Sequence, residues 1–168
     1  MKKLYLLAFL PLFIACGSSS KVTNSRKGAA KSTKITSRVG DKKIEMIIDH
    51  AMHFEGTRYK YGGTTKKGMD CSGLVYVAFG KEQVQLPRVS RDMAKRGKRI
   101  SLTRADEGDL VFFQTNKNKK VINHVGLVVK AKSGNIQFIH STTSRGVIVS
   151  SLDERYWKSA FVEIRRII

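Results

Sequence analysis

Cys71, His124 and His140 are the side chains whose types and spacing could carry nucleophilic chemistry. Cys71 lies between a Gly- and Thr-rich stretch and the apolar run Leu74–Phe79. Because Asp and Ser commonly start helices, the flanking residues predict Cys71 in the first turn of a buried helix. A helix N-terminus favours an anion, so we expect a lowered thiol pKa and N–H groups available to an oxyanion. A buried structural thiol is the alternative.

A cysteine nucleophile needs a base and a third group that orients the base. His124 begins the predicted strand 124–130, and His140 ends the predicted strand 135–140. Antiparallel pairing through a turn at 132–134 would bring both histidines to one edge and one face of the sheet. We therefore predict that Cys71 attacks a carbonyl carbon, that His124 is the general base that keeps it as thiolate, and that His140 orients His124. Two separate, hydrogen-bonded structural histidines are the alternative.

The folded part of the chain is predicted to begin with a helix. Apolar residues recur at helical spacing between Asp41 and a stop at Gly56: Ile44, Ile47, Ile48, Ala51 and Phe54. His50 and His53 lie on this helix without partners at metal-ligand spacing, so we expect structural or surface roles for them, and neither a metal site nor a cofactor.

After the predicted Cys71 helix the period shifts from helix to strand. Ser90 is predicted to cap a short helix at 91–96, which follows a turn at Leu86-Pro87-Arg88 and ends at Gly97. Short β-rich runs follow at 109–114, 124–130, 135–140, 146–150 and 161–168, with one helical turn expected at 152–158. Helices followed by strands predict an α+β fold, in which the Cys71 helix covers a five- or six-stranded antiparallel meander.

The charge of the chain is strongly basic: 32 Lys and Arg against 13 Asp and Glu give +19 over 168 residues. Such a balance indicates a polyanionic partner. The N-terminus narrows the choice, because Lys2 and Lys3 precede the apolar stretch Leu4–Ala15, which is too short to span a membrane and is typical of a secretory signal. An exported domain argues against nucleic acid and favours anionic lipid or a wall polymer.

The end of this stretch, Phe13-Ile14-Ala15-Cys16-Gly17, resembles a bacterial lipobox. We therefore predict a signal peptide at 1–15, lipidation of Cys16, and a flexible basic linker at 16–40 ahead of a folded domain at 41–168. The resemblance implies an anchor in the outer membrane that faces the periplasm. If Cys16 carries lipid, Cys71 has no disulfide partner among the 2 cysteines of the chain, which favours a functional thiol.

Several motifs occur in the order found in one enzyme family: YKYGGTTKKGMDCSGLV, LPR, GDLVFF, NHVGLVV, FIHSTTSRGV and SSLDERYW. Together they resemble the NlpC/P60 family of cell-wall cysteine endopeptidases, over about 42–168. The resemblance is strongest to the small lipoprotein murein endopeptidases of Gram-negative bacteria. It implies a papain-like α+β core and a Cys-His-His triad at Cys71, His124 and His140.

The same resemblance implies roles for four further residues. Tyr59 would stabilise an oxyanion or place the substrate, Asp70 and Ser72 would recognise the peptide stem, and Arg88 would contact a carboxylate. The implied reaction is hydrolysis of peptidoglycan, at D-glutamyl–diaminopimelate or at a diaminopimelate cross-link. The alternatives are a wall-binding lipoprotein without turnover, amidase or acyl-transfer chemistry on the same fold, and a basic protein that binds anionic lipid. We expect a monomer.

Overall fold

The computed structural model describes the backbone of residues 27–116, 118, 120–132 and 134–168, and the side chains of these ranges from residue 40 onwards. The predicted signal peptide at 1–15, the predicted lipidation site Cys16 and the first part of the predicted linker lie outside the described residues. Within the described part, no helix is both long enough and apolar enough to cross a membrane.

Helix α1, Lys27–Met52, begins well before the predicted start at Asp41. The flexible linker predicted at 16–40 is therefore helical in its described part, from Lys27 onwards. A low apolar content argues against a packed core, but Ala, Lys and Arg still favour helix, and a helix extends readily once its packed half has formed. That half buries Ile47 and Ala51. The division into linker and domain at residue 41 stays a prediction.

Helix α2, Cys71–Lys81, follows a small antiparallel hairpin made by β1, Thr64–Thr65, and β2, Gly68–Met69. Its start at Cys71 confirms the predicted position of the cysteine in a first helical turn. Most of its apolar side chains are fully buried: Leu74, Val75, Ala78 and Phe79. Burial on this scale fixes the helix, and with it the cysteine, against the sheet.

The segment between α2 and the sheet differs from the prediction in two ways. Helix α3 is only Ser90–Met93, and Val89, in extended conformation, occupies the cap position, so the predicted capping role of Ser90 was wrong. A short strand β3, Lys98–Ile100, was not predicted. Two of its three residues are charged and exposed, which gives no strand pattern in the sequence; its pairing with a distant strand defines it.

In the described part of the chain the main sheet has six antiparallel strands, which is the higher of the two predicted numbers. After β3 come β4, Leu110–Phe113, β5, His124–Lys132, β6, Asn135–Thr142, β7, Gly146–Ser151, and β8, Phe161–Arg166. Their order is β3-β8-β4-β5-β6-β7. The prediction of a simple meander is therefore right for β4 to β7 and wrong for the last strand, which returns to pair with β4 and β3.

Both faces of this sheet are covered. On one face α1 and α2 pack against Val125 and Leu127 of β5. On the other face Phe113 and Phe138 pack around Trp157, which is carried by helix α4, Arg155–Ala160, at the predicted helical turn. From the sequence we expected only the first of these two layers.

Candidate active site

Cys71, at the first position of α2, is partly exposed and forms no disulfide bond within the part of the chain that the structure describes. Asp70 caps this helix, because its Oδ1 accepts a hydrogen bond of 2.6 Å from the Gly73 N–H. A side chain at Gly73 would collide with the carbonyl oxygen of Gly63, so glycine is needed for this close approach. The first turn of a helix leaves its N–H donors without helical partners, so those of Cys71 and Ser72 are available to an anion.

Burial raises the pKa of the Cys71 thiol above its ordinary value, and the nearby Asp70 carboxylate acts in the same direction. Backbone N–H groups of Val125, Ser72 and Cys71 itself lower it, but burial outweighs them. The expectation of a lowered thiol pKa at the helix N-terminus was therefore wrong, because dehydration of the sulfur exceeds the stabilisation of a thiolate. A base has to take the proton as the thiol reacts.

The two predicted histidines are hydrogen-bonded to each other. His124 Nε2 and His140 Nδ1 are 2.9 Å apart, and the ring planes are perpendicular. His124 is 9% exposed and His140 is fully buried. The predicted proximity of the histidines through the β5–β6 hairpin is confirmed, whereas their catalytic roles stay predictions.

Both imidazoles are neutral at pH 7. Burial lowers the pKa of His124 to about 4, and burial together with the nearby His124 and Arg145 lowers that of His140 to about 2. For His124 to act as a base through Nδ1, its Nε2 must carry the hydrogen and donate it to His140 Nδ1. His140 then carries its own hydrogen on Nε2, which is buried and has no hydrogen-bond partner among the described atoms.

Trp157 packs against both histidines. Its ring stacks on His124 and meets His140 edge to face, with centroids 4.5 Å apart in the second pair. An aromatic face can accept a weak hydrogen bond from an N–H, which would offset part of the cost of the buried His140 Nε2. Sequence reasoning missed this residue, because a tryptophan in a short helical turn gives no signal of which side chains it will cover.

One cleft runs past the cysteine in two halves. The first half, of about 660 Å³, is lined by Asp70, Ser72 and Arg88. The second half, of about 440 Å³, is lined by His124. Cys71 and Tyr59 line both halves, so the sulfur lies at their junction. No hydrogen bond joins Cys71 to His124 among the described residues, although both line the second half.

Tyr59 keeps its hydroxyl proton at neutral pH. Burial, and after it the nearby Cys71 and Asp70, raises the pKa of Tyr59 above its ordinary value. A protonated phenol beside the sulfur is a hydrogen-bond donor, which suits the predicted role at an oxyanion.

The three residues predicted to recognise substrate form one network at the mouth of the first half. Arg88 Nη2 lies 2.9 Å from Asp70 Oδ2, and Arg88 Nη1 donates to Ser72 Oγ over 2.9 Å. Asp70 also accepts from the Gly62 N–H at 2.7 Å. The Asp70 oxygens are thus occupied by the protein, while Arg88, whose side chain is 33% exposed, keeps donors toward the cleft.

The histidine strand is tied directly to the segment that carries the cysteine. Ser141 Oγ, next to His140, donates a buried hydrogen bond of 2.7 Å to the carbonyl of Met69, two residues before Cys71. This bond fixes the end of β6 relative to the start of α2. Nothing in the sequence indicated this role for Ser141, because its hydrogen-bond partner is distant in the chain.

The remaining histidines lie away from this arrangement. His50 Nε2 is 3.0 Å from Glu82 Oε1, and His53 Nδ1 is 2.7 Å from the carbonyl of Asp49 on its own helix. Both contacts agree with the predicted structural or surface roles. The described residues contain no cluster of three or more side chains that could hold a metal ion.

Several proteins with related sequences have names that indicate endopeptidases. The chain is 37% identical over 139 residues to the probable endopeptidase NlpC homolog of Haemophilus influenzae, covering 82% of this chain and 69% of that protein. It is 42% identical over 124 residues to the murein DD-endopeptidase MepS/murein LD-carboxypeptidase of Escherichia coli K12, covering 73% of this chain and 62% of that protein.

Solved structures share the fold. A crystal structure from Staphylococcus aureus, described as similar to a lipoprotein of the NLP/P60 family, superposes with a TM-score of 0.66 at 32% identity. It covers 76% of this chain, which matches 42% of that one. The profile of the NlpC/P60 family matches residues 56–166, a range that contains the cysteine, both histidines and the whole sheet. The chain therefore belongs to the NlpC/P60 family.

Proposed function

We propose that this protein is a peptidoglycan endopeptidase that uses Cys71, His124 and His140 as its catalytic residues. The proposal rests on one observation: Cys71, at an open helix N-terminus, lines the same cleft as His124, whose other nitrogen is bound to a buried His140. The names of the relatives, which include a murein DD-endopeptidase, support the substrate class. The bond would be D-glutamyl–diaminopimelate or a diaminopimelate cross-link.

The first half-reaction starts from a neutral thiol and a neutral imidazole. Cys71 Sγ attacks the amide carbon while its proton passes to His124 Nδ1, and the hydrogen bond to His140 stabilises the imidazolium that forms. The carbonyl oxygen gains the negative charge. The N–H groups at the start of α2 and the Tyr59 hydroxyl are the donors that would stabilise it.

Collapse of this intermediate breaks the carbon–nitrogen bond. His124 returns the proton to the leaving amine, and the acyl group remains on Cys71 as a thioester. Water then attacks the thioester with His124 as base, which releases the carboxylate product and restores the thiol. A neutral thiol and a neutral imidazole in the resting enzyme suit this cycle, because each step then moves only one proton to or from His124.

The acyl part of the substrate would occupy the first half of the cleft. Because His124 must reach the leaving amine, the leaving group lies in the half that His124 lines, and the other half takes the acyl side. There Arg88 would bind a carboxylate of the stem, while Asp70 and Ser72 hold the arginine in place. Stem peptides are rich in carboxylates, which the positive charge of the chain would also attract.

The N-terminal segment would keep the enzyme at its substrate. We propose lipidation at Cys16 and an outer-membrane anchor that faces the periplasm, with basic residues of the segment 16–40 near anionic lipid or wall polymer. The domain would act as a monomer, without nucleic acid. Cys16→Ala should move the protein from the membrane to the soluble fraction; continued membrane fractionation of the variant would contradict lipidation.

The test of the activity uses the purified full chain and its Cys71→Ala twin. Each is incubated with diaminopimelate-type peptidoglycan, and the soluble products are identified by mass spectrometry. We expect stem fragments with the wild type only, and losses on the order of 10³-fold or more for Cys71→Ala and His124→Ala with unchanged circular dichroism. Activity within about tenfold of wild type in either variant would refute the triad.

A further inference from the structure

The second half of the cleft carries one positive and one negative side chain. Arg145, in the turn between β6 and β7, and Glu154, just before α4, both line it. The guanidinium of Arg145 forms no hydrogen bond or salt bridge with any described residue, and in particular none with Glu154. Because these two opposite charges line one cleft and do not form an ion pair, both remain available to a ligand that carries a negative and a positive charge.

The turn that carries Arg145 is held in place by the chain around it. The Arg145 N–H donates to Thr142 Oγ1 over 3.0 Å. Gly146 has a φ of 69°, and a side chain there would collide with the Thr57 carbonyl, which accepts from the Val147 N–H at 2.8 Å. The position of Arg145 at the edge of the cleft is thus set by the backbone. Its charge is close enough to lower the pKa of the buried His140.

Glu154 is oriented in a similar way. Its Oε1 accepts a hydrogen bond of 2.8 Å from the Ser151 N–H, while its Oε2 has no partner among the described residues. Tyr156, 57% exposed, lines the same half of the cleft and offers an aromatic surface to a hydrocarbon chain. One carboxylate oxygen is therefore fixed by the fold, and the other is available to a cation.

We infer that Arg145 and Glu154 bind the free carboxylate and the free ammonium of the residue on the leaving side of the scissile amide. This inference rests on the proposed function, in which His124 delivers its proton in this half of the cleft. Charge-assisted hydrogen bonds of this kind are among the stronger polar contacts. The two residues determine specificity and take no part in the bond-breaking steps.

The inference selects between the two candidate bonds. In a stem peptide without a cross-link, diaminopimelate joined to D-glutamate has a free ammonium and a free carboxylate at the far end of its side chain. At a cross-link, that amino group is itself part of the scissile amide and the other is acylated, so no ammonium remains. The pair Arg145 and Glu154 therefore favours the D-glutamyl–diaminopimelate bond of uncrosslinked stems.

The test compares three soluble peptides with the purified full chain. The first is L-Ala-γ-D-Glu-diaminopimelate, the second has L-lysine as its last residue and lacks the far carboxylate, and the third has the far amine acetylated. We expect wild type to prefer the first over each of the others by on the order of tenfold or more in kcat/KM. Arg145→Gln should remove the preference over the lysine peptide, and Glu154→Gln the preference over the acetylated one.

Both substitutions keep the fold testable, because glutamine at 154 can still accept from the Ser151 N–H. Arg96→Gln, at an exposed arginine outside the cleft, removes the same charge and should keep the wild-type preferences. Equal hydrolysis of all three peptides by wild type, or unchanged preferences in Arg145→Gln and Glu154→Gln, would overturn the inference alone. So would cleavage of cross-links in intact peptidoglycan with no cleavage of the peptides. No hydrolysis of the peptides or of peptidoglycan would overturn the proposed function as well.

Discussion

The indole of Trp157 stacks on the imidazole of His124, with ring centroids 5.1 Å apart and planes inclined by 20°. The same indole meets the edge of His140. One side chain thus excludes water from both members of the histidine pair. Burial lowers the pKa of both imidazoles, and Trp157, together with Phe113 and Phe138, forms part of the apolar cover that buries them.

We expect Trp157→Phe and Trp157→Ala to separate this role from simple packing. The alanine variant should lose on the order of 10²-fold in kcat, since a misplaced base is costly, and about 3–5 kcal/mol of stability. In a pH–rate profile of the alanine variant, the apparent pKa of the acid limb should rise towards 6.5, because water then reaches the imidazoles. Trp157→Phe keeps an aromatic ring over the histidines, so the pKa of its acid limb should stay close to the wild-type value. A lower rate with an unshifted profile in both variants would assign Trp157 to packing alone.

His140→Asn should be a milder change than loss of the nucleophile. An asparagine oxygen can accept from His124 Nε2 as His140 Nδ1 does at 2.9 Å, so the required tautomer survives. The variant also removes the buried Nε2 that lacks a partner. We expect kcat to fall by about 10–100-fold, less than for Cys71→Ala, measured as release of stem fragments. A loss as deep as that of Cys71→Ala would show that an imidazole is needed at this position.

The acid stability of the protein follows from the same pair. His124 titrates near 4 when folded and near 6.5 when unfolded, so between these pH values the unfolded chain binds more protons. The free energy of unfolding therefore falls as the pH drops from 6.5 towards 4, and His140, at about 2, extends the loss further. We expect the melting temperature to fall across this window. His124→Gln should flatten the slope, and an unchanged slope in this variant would contradict the assignment.

Asp70→Asn tests the network at the mouth of the first half-cleft. Asparagine can still cap α2, but it loses the charge that faces Arg88 across 2.9 Å. We expect a loss of about 1–3 kcal/mol in unfolding free energy by urea titration. KM should rise more than kcat falls, because the released arginine is no longer aimed at the substrate. An unchanged KM with a lower kcat would place Asp70 at the nucleophile instead.

The positions of Cys71 and of the histidine pair were predictable because their signals are local. Asp70 and Ser72 mark a helix start, and the β5–β6 turn brings His124 and His140 together through a short connection. The bulge between Val128 and Lys130 alters this register without separating the rings. Side-chain alternation and turn position were therefore enough to find the pair.

The features that were missed depend on partners distant in the chain. Strand β3 exists because Ile100 pairs with Ile164, and its own three residues have no strand pattern. Trp157 and Ser141 reach their partners only after the sheet has formed. The thiol pKa was mispredicted for a related reason: a helix N-terminus can be read from sequence, whereas the degree of dehydration depends on all the surrounding layers.

Cys71 and His124 meet in one cleft but are carried by different layers of the fold. Cys71 packs with the layer formed by α1 and α2, while His124 packs with Phe113 and Trp157 on the opposite side. The gap between sulfur and imidazole therefore depends on how these two layers pack against the sheet. Conservative exchanges in either layer, even distant ones that leave the melting temperature unchanged, can alter that gap and so tune turnover without touching a catalytic residue.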